Sequence, residues 1–142
     1  MGQGRFLHTL AAIIFMSPLA VAAAETGGAK PDAPARPRIE ATVEVLTGDR
    51  TKPGLYILRS TLKAGGIVDP HTHPDARYIT VLSGALYVCN STKISAETTT
   101  MHKAGAFFTI PPNTIHCSWA KDGDTVYTET GVGPSSTSFD VK

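Results

Sequence analysis

Two cysteines and five histidines in 142 residues are too few for a zinc-finger array or a disulfide-dense scaffold. Charge of one sign is also missing. Thirteen basic residues stand against 12 acidic ones, a formal net charge of +1. That leaves no electrostatic footprint for nucleic acid or for an anionic membrane surface. No twin-arginine pair precedes the apolar N-terminal run, and no cysteine stands near its end to carry a lipid. What is present is a 42% hydrophobic, 18% charged chain, the balance of a globular protein rather than a disordered one. Its length makes one domain the expectation.

Residues 1–24 read as a secretory signal peptide. Arg5 supplies the positive charge, and an apolar run from Phe6 to Val21 is interrupted by His8, Thr9, Ser17 and Pro18. Ala22-Ala23-Ala24 offers small residues for cleavage before Glu25. The alternative, a membrane anchor, needs about 20 uninterrupted apolar residues, more than the run provides. Cleavage predicts a periplasmic or secreted protein with no membrane contact afterwards. It would leave 118 residues with 12 basic and 12 acidic side chains, and the histidines His71, His73, His102 and His116. Residues 25–38 hold three prolines and almost nothing apolar, so they are expected to form a disordered linker. Residues 39–142 make the folded domain.

That domain carries an all-β pattern. Runs rich in β-branched and aromatic residues span Ile39–Leu46, Leu55–Leu62, Tyr78–Leu82, Ala85–Cys89, Ala106–Ile110, Ile115–Trp119 and Thr125–Thr130. Turn chemistry separates them: Gly65-Gly66, Ser83-Gly84, Pro111-Pro112-Asn113 and Asp122-Gly123-Asp124 among others. Such spacing predicts a sandwich or small barrel. Residues 90–104 are polar and are expected to form a long surface connection, with one short strand near its end. His102, inside that stretch, is expected to be solvated.

Three histidines share a logic. His71 and His73 stand two apart, and on a strand such residues point to one face. His116 lies on a later strand and reaches the same point if the sheet closes. Imidazole ligates Fe, Mn, Zn, Cu or Ni, so His71, His73 and His116 are candidate ligands of a divalent transition metal. An H-x-H pair also occurs on solvated strand edges, so the flanking sequence has to decide.

Gly65, five residues, His71-Thr72-His73 and then Gly84 resemble the first motif of the cupin superfamily. Gly105, five residues, Pro111-Pro112-Asn113 and then His116 resemble its second. The resemblance runs from about residue 40 to 134 and implies a cupin jelly roll, a double-stranded β-helix. It also implies a metal at the three histidines and, from the habits of such proteins, a homodimer. Two departures stand out. Arg77 occupies the place of the motif-one glutamate, and Arg cannot ligate a metal. Asn113 replaces a glycine, and Asn tolerates the left-handed conformation. The site is therefore three-histidine, or completed by another carboxylate such as Asp75, or metal-free.

Three-histidine iron sites among cupins imply oxidative, dioxygenase-type chemistry on a small molecule, with isomerase or lyase chemistry next. Arg77 is the candidate catalytic residue, pairing with a substrate carboxylate. Its alternative is a surface salt bridge with Asp75. Competing functional readings are a non-enzymatic metal- or ligand-binding module and a metal-free cupin scaffold. The jelly roll also implies that the strands of Cys89 and Cys117 are neighbours. Those residues either form a disulfide or stay as two buried thiols. Parity turns Trp119 away from the histidine face.

Overall fold

The computed structural model describes residues 41–141 together with Met1. The expected signal peptide (Met1 aside), the linker and Ile39 fall outside the described residues. Nine strands and no helix occur among those residues. They are β1 (Thr42–Thr47), β2 (Gly54–Leu62), β3 (Ile67–His71), β4 (Arg77–Ser83), β5 (Ala85–Cys89), β6 (Thr99–Lys103), β7 (Phe107–Ile110), β8 (His116–Trp119) and β9 (Thr125–Gly133). They build two antiparallel sheets, β1-β2-β9-β4-β7 and β3-β8-β5-β6. This is the all-β, two-sheet jelly roll that the resemblance implies.

Period-two alternation sets the inner faces. Tyr56, Leu58, Ser60 and Leu62 of β2 are buried, as are Arg77, Ile79 and Val81 of β4. The core joins both sheets: Leu62, Ile79, Val81, Ile110 and Tyr127 from the first pack with Leu86 and Val88 from the second. Each such fully buried aliphatic side chain is worth about 1.5–3 kcal/mol. The inner face of β2 and β9 also carries polar groups (Ser60, Glu129), and these lead from the core into the site.

Two turns decide how the strands are aimed. Gly84, at φ 75°, links β4 to β5, and a Cβ there would collide with the Asp124 carbonyl and Thr125. Asn113 adopts φ 57° in the turn between β7 and β8, the conformation expected of the residue replacing a motif glycine. Its N–H donates to the His73 carbonyl at 2.7 Å, so the turn that starts the His116 strand also holds His73.

The strands differ from the sequence expectation in two places. β3 carries no plain apolar alternation, because Asp69-Pro70 produces an irregular register between Val68 and His71. β6 is the short strand expected near the end of the polar stretch, and it pairs with β5 along its whole length. That pairing sets His102 opposite Leu86 and stacks its ring on Phe108, centroids 3.9 Å apart. His102 is thus half-buried against an aromatic ring, which corrects the expectation that it is solvated. Finally, β9 continues to Gly133, three residues beyond Thr130, which puts Glu129 well inside a strand.

Cys89 and Cys117 are opposed across β5 and β8 and form a disulfide, Cα atoms 5.1 Å apart. The bridge fastens β8 one residue from His116. On β8, His116 and Ser118 line the cavity between the sheets, whereas Trp119 packs near Tyr87, as parity required.

Candidate metal centre and its cavity

The three histidines arrive from different pieces of chain. His71 ends β3 and is the register partner of His116 at the start of β8. His73 lies just past β3, after Thr72 exchanges two backbone hydrogen bonds with Ser138. All three imidazoles are buried. Their ring centroids are 4.2 Å (His71–His116), 4.8 Å (His71–His73) and 5.2 Å (His73–His116) apart. One ring nitrogen of each lies within 4.8 Å of the other two.

Every one of these rings is oriented by a backbone carbonyl. Nδ1 of His71 donates to Asp69 O at 2.7 Å, Nδ1 of His73 to Ser136 O at 2.7 Å, and Nδ1 of His116 to Thr114 O at 2.9 Å. A carbonyl can only accept, so Nδ1 carries the proton and Nε2 keeps its lone pair. Burial keeps the rings neutral. It lowers the pKa of His71, takes that of His73 to about 3 and that of His116 to about 4. Three neutral imidazoles, each with its N–H committed outward and a free lone pair turned inward, form a donor set that fits Fe, Mn, Zn, Cu or Ni.

Asp75 is turned to other partners. It accepts from Tyr56 Oη at 2.6 Å and Ser135 Oγ at 2.5 Å, and it lies 3.4 Å from Arg77 Nε. Gly131, the β9 partner of Tyr56, leaves the room for this contact, because a Cβ there would strike both Tyr56 Oη and Asp75. Burial and the Asp75 bond push the Tyr56 hydroxyl up to about 12, so it stays protonated. Asp75 is outside the histidine cluster, and the idea of Asp75 as a fourth ligand finds no geometric support.

Arg77 does point inward, as its motif position implies, and is 1% exposed. Its partners are protein groups. Nη1 donates to Glu129 Oε2 at 3.3 Å and Nη2 to Ser135 Oγ at 2.9 Å. Nε has no hydrogen bond, although Asp75 lies alongside. Its guanidinium carbon also sits 5.3 Å from the Tyr56 ring centroid. The expected salt bridge with Asp75 exists, but it is buried rather than on the surface.

A cavity of about 870 Å³ opens beside the histidines, within the size range of small-molecule sites. Its lining is mixed. Arg77, Glu129 and Ser118 join apolar walls from Ile67, Ile79 and Phe108. Three contributors went unmarked in the sequence. Glu129 held a signal, since it keeps the parity of buried Tyr127 on β9. Ser136 and Phe139 held none, because the segment after β9 has no periodicity. Yet Ser136 orients His73, and the Phe139 ring lies 5.4 Å from His71.

Residues 58–127 match the family model described as the cupin domain. Comparison with curated proteins finds no match. Among solved structures, an uncharacterised Klebsiella pneumoniae protein with a double-stranded β-helix domain is similar at 16% identity. That likeness covers 70% of this chain and 84% of the other, at a TM-score of 0.58. A cupin-like protein of Thermotoga maritima is similar at 22% identity, covering 68% and 74%, TM-score 0.57. The polyketide cyclase RemF of Streptomyces resistomycificus is similar at 15% identity, covering 72% of each chain, TM-score 0.61. At these identities the likeness establishes the fold.

Proposed function

We propose that this chain, built on a cupin domain over residues 58–127, is an exported metal-holding protein that acts on a small molecule, with oxidative, dioxygenase-type chemistry leading. The observation that carries the reading is the set of three backbone carbonyls aiming the Nε2 atoms of His71, His73 and His116 toward one another. Pre-oriented neutral imidazoles of this kind are what a transition-metal site needs and what a solvated H-x-H pair lacks.

His71, His73 and His116 would hold the ion. A metal bound there supplies Lewis acidity and, if redox-active, the electrons for oxygen chemistry. The protein's own groups bind, orient and exclude water. With no carboxylate among the ligands, the charge of a divalent ion is not offset by its donors, which favours an electron-rich ligand atom in the open positions. Apolar walls keep the ligand body dry. Arg77 enters this reading through Glu129, which it holds, and not as a partner for a substrate carboxylate. Export rests on the N-terminal signal pattern, and homodimerisation on β1, which ends its sheet with Val43 and Val45 exposed.

The test is metal analysis of the purified chain, followed by oxygen uptake against small thiols, diketones and phenols. About one metal per chain, lost on His71→Ala and His116→Ala, supports the site. Metal far below stoichiometric, unaffected by these changes, leaves the metal-free scaffold. Full metal with no turnover across the panel leaves the non-enzymatic binding module.

A further inference from the structure

Glu129 sits within β9, opposite Ile79 of β4, on the strand face that also carries Tyr127. It lines the same cavity as the three histidines, with its side chain 16% exposed. Its Oε1 accepts from Ser60 Oγ at 2.9 Å and its Oε2 from Arg77 Nη1 at 3.3 Å. An ionised carboxylate offers about four acceptor positions, so two neighbours fix the group without exhausting it. The result is a pre-oriented acceptor facing the cavity.

The charges around it point to the same ligand chemistry. Arg77 faces two carboxylates, Asp75 and Glu129, so this buried cluster carries a net negative charge. Elsewhere in the lining Arg50 and Asp69 add one charge of each sign. A ligand carboxylate beside Glu129 would meet repulsion, and the guanidinium behind it is already engaged. A ligand hydroxyl or N–H would meet an acceptor that needs no reorientation, and bonds to a charged acceptor are the stronger kind. Leu58, Ile67, Val68, Ile79 and Phe108 supply apolar wall beside it, interrupted by hydroxyls such as that of Ser118.

We propose that Glu129 is the ligand-anchoring acceptor of this cavity and that it selects small, largely apolar molecules bearing an O–H or N–H donor over carboxylates of the same size. This rests on reading the cavity as a small-molecule site and narrows that reading to a chemical class. Ser60 and Arg77 act as positioning residues for Glu129.

Catechol and benzoate are the probes: one ring each, two hydroxyls against one carboxylate. Their binding to the purified chain is measured by calorimetry, both zinc-free and zinc-loaded. The wild type is expected to favour catechol by about tenfold or more, the weight of one hydrogen bond to a charged group. Glu129→Gln should remove that preference without changing zinc content, and Glu129→Asp should retain part of it. If Glu129→Gln does not fold, Ser60→Ala serves instead, loosening the carboxylate while keeping its charge, with a smaller drop in catechol affinity. Equal or tighter binding of benzoate by the wild type, a preference that survives Glu129→Gln, or binding of neither probe overturns the assignment. Failure to take up zinc, with the donor preference intact in the zinc-free protein, would sink the metal reading alone.

Discussion

The imidazole of His73 donates from Nδ1 to the backbone carbonyl of Ser136, 63 residues further along the chain, at 2.7 Å. The segment that supplies this carbonyl also pairs with Thr72 through Ser138 and brings Phe139 against His71. It forms a strap over two of the three candidate ligands.

Ending the chain after Ser135 should therefore weaken metal binding while leaving the strands in place. Loss of a group that orients a ligand typically costs about 10–100-fold in affinity. Chelator competition measures the change, and circular dichroism checks that the β-structure persists. Unchanged affinity would show that His73 is aimed without the strap.

Arg77 is buried with two acids. Arg77→Met leaves Asp75 and Glu129 without a cation, and breaking a buried pair in this way costs about 3–5 kcal/mol. The double change Arg77→Met with Glu129→Gln should recover part of that loss, because one uncompensated charge goes with it. Urea unfolding of the two variants decides. A double variant no more stable than the single one means that the pair does not carry the stability.

The disulfide closes a loop with a sequence separation of 28. Constraint of the unfolded chain by a loop of that size is worth about 3–4 kcal/mol. The oxidised protein should therefore unfold at higher urea than the Cys89→Ala/Cys117→Ala variant and should contain no alkylatable thiol. Coincident unfolding curves would contradict this.

Acid should destabilise the metal-free protein. His73 and His116 take up protons in the fold only near 3 and 4, against 6.5 in the unfolded chain. Between those values the unfolded state binds more protons, so stability is intact above about 6.5 and falls as the pH drops toward 4. The carboxyl of Asp75, also lowered, by its bonds to Ser135 and Tyr56 and by Arg77, adds a further loss below 3.8. The melting temperature of metal-free protein, followed from about pH 8 to about pH 4, should decline below the histidine value and should be flatter in His116→Asn. A level wild-type profile would show that these rings are not buried neutral.

Much of this arrangement was readable before the fold. Gly65, Gly84 and Gly105 all take positive φ, and Asn113 takes the left-handed turn that its place in the second motif demanded. The three histidines converge as their spacing implied once the sheets come together, although the ring of His73 is held by a carbonyl far along the chain. Arg77 was left open between the site and a surface salt bridge; its partner Asp75 was readable from nearby sequence, whereas Glu129 and Ser135 were not, since they come from 52 and 58 residues away. Parity within Thr125–Thr130 already set Glu129 on the face of Tyr127, but a lone acid on a strand gives no sign of the buried arginine it meets. Nothing local could have exposed Ser136, whose backbone oxygen matters and whose side chain does not. His102 misled because a polar neighbourhood does not reveal that the residue opposite, Leu86, faces inward.

The strap has a consequence for the order of events. Zinc-finger ligands lie close enough in sequence for the ion to gather an unfolded chain around itself. Here the H-T-H pair would offer an arriving ion His71, aimed locally by Asp69, beside a His73 without a fixed tautomer until the segment after β9 has come back over Thr72. Capture of an ion would then be the last step of maturation rather than its nucleus, and a metal-loaded molecule would be one whose distant pieces have already found each other. An ion that prefers the finished barrel would add about 4 kcal/mol at a thousandfold excess over its Kd, holding closed a structure that it did not build.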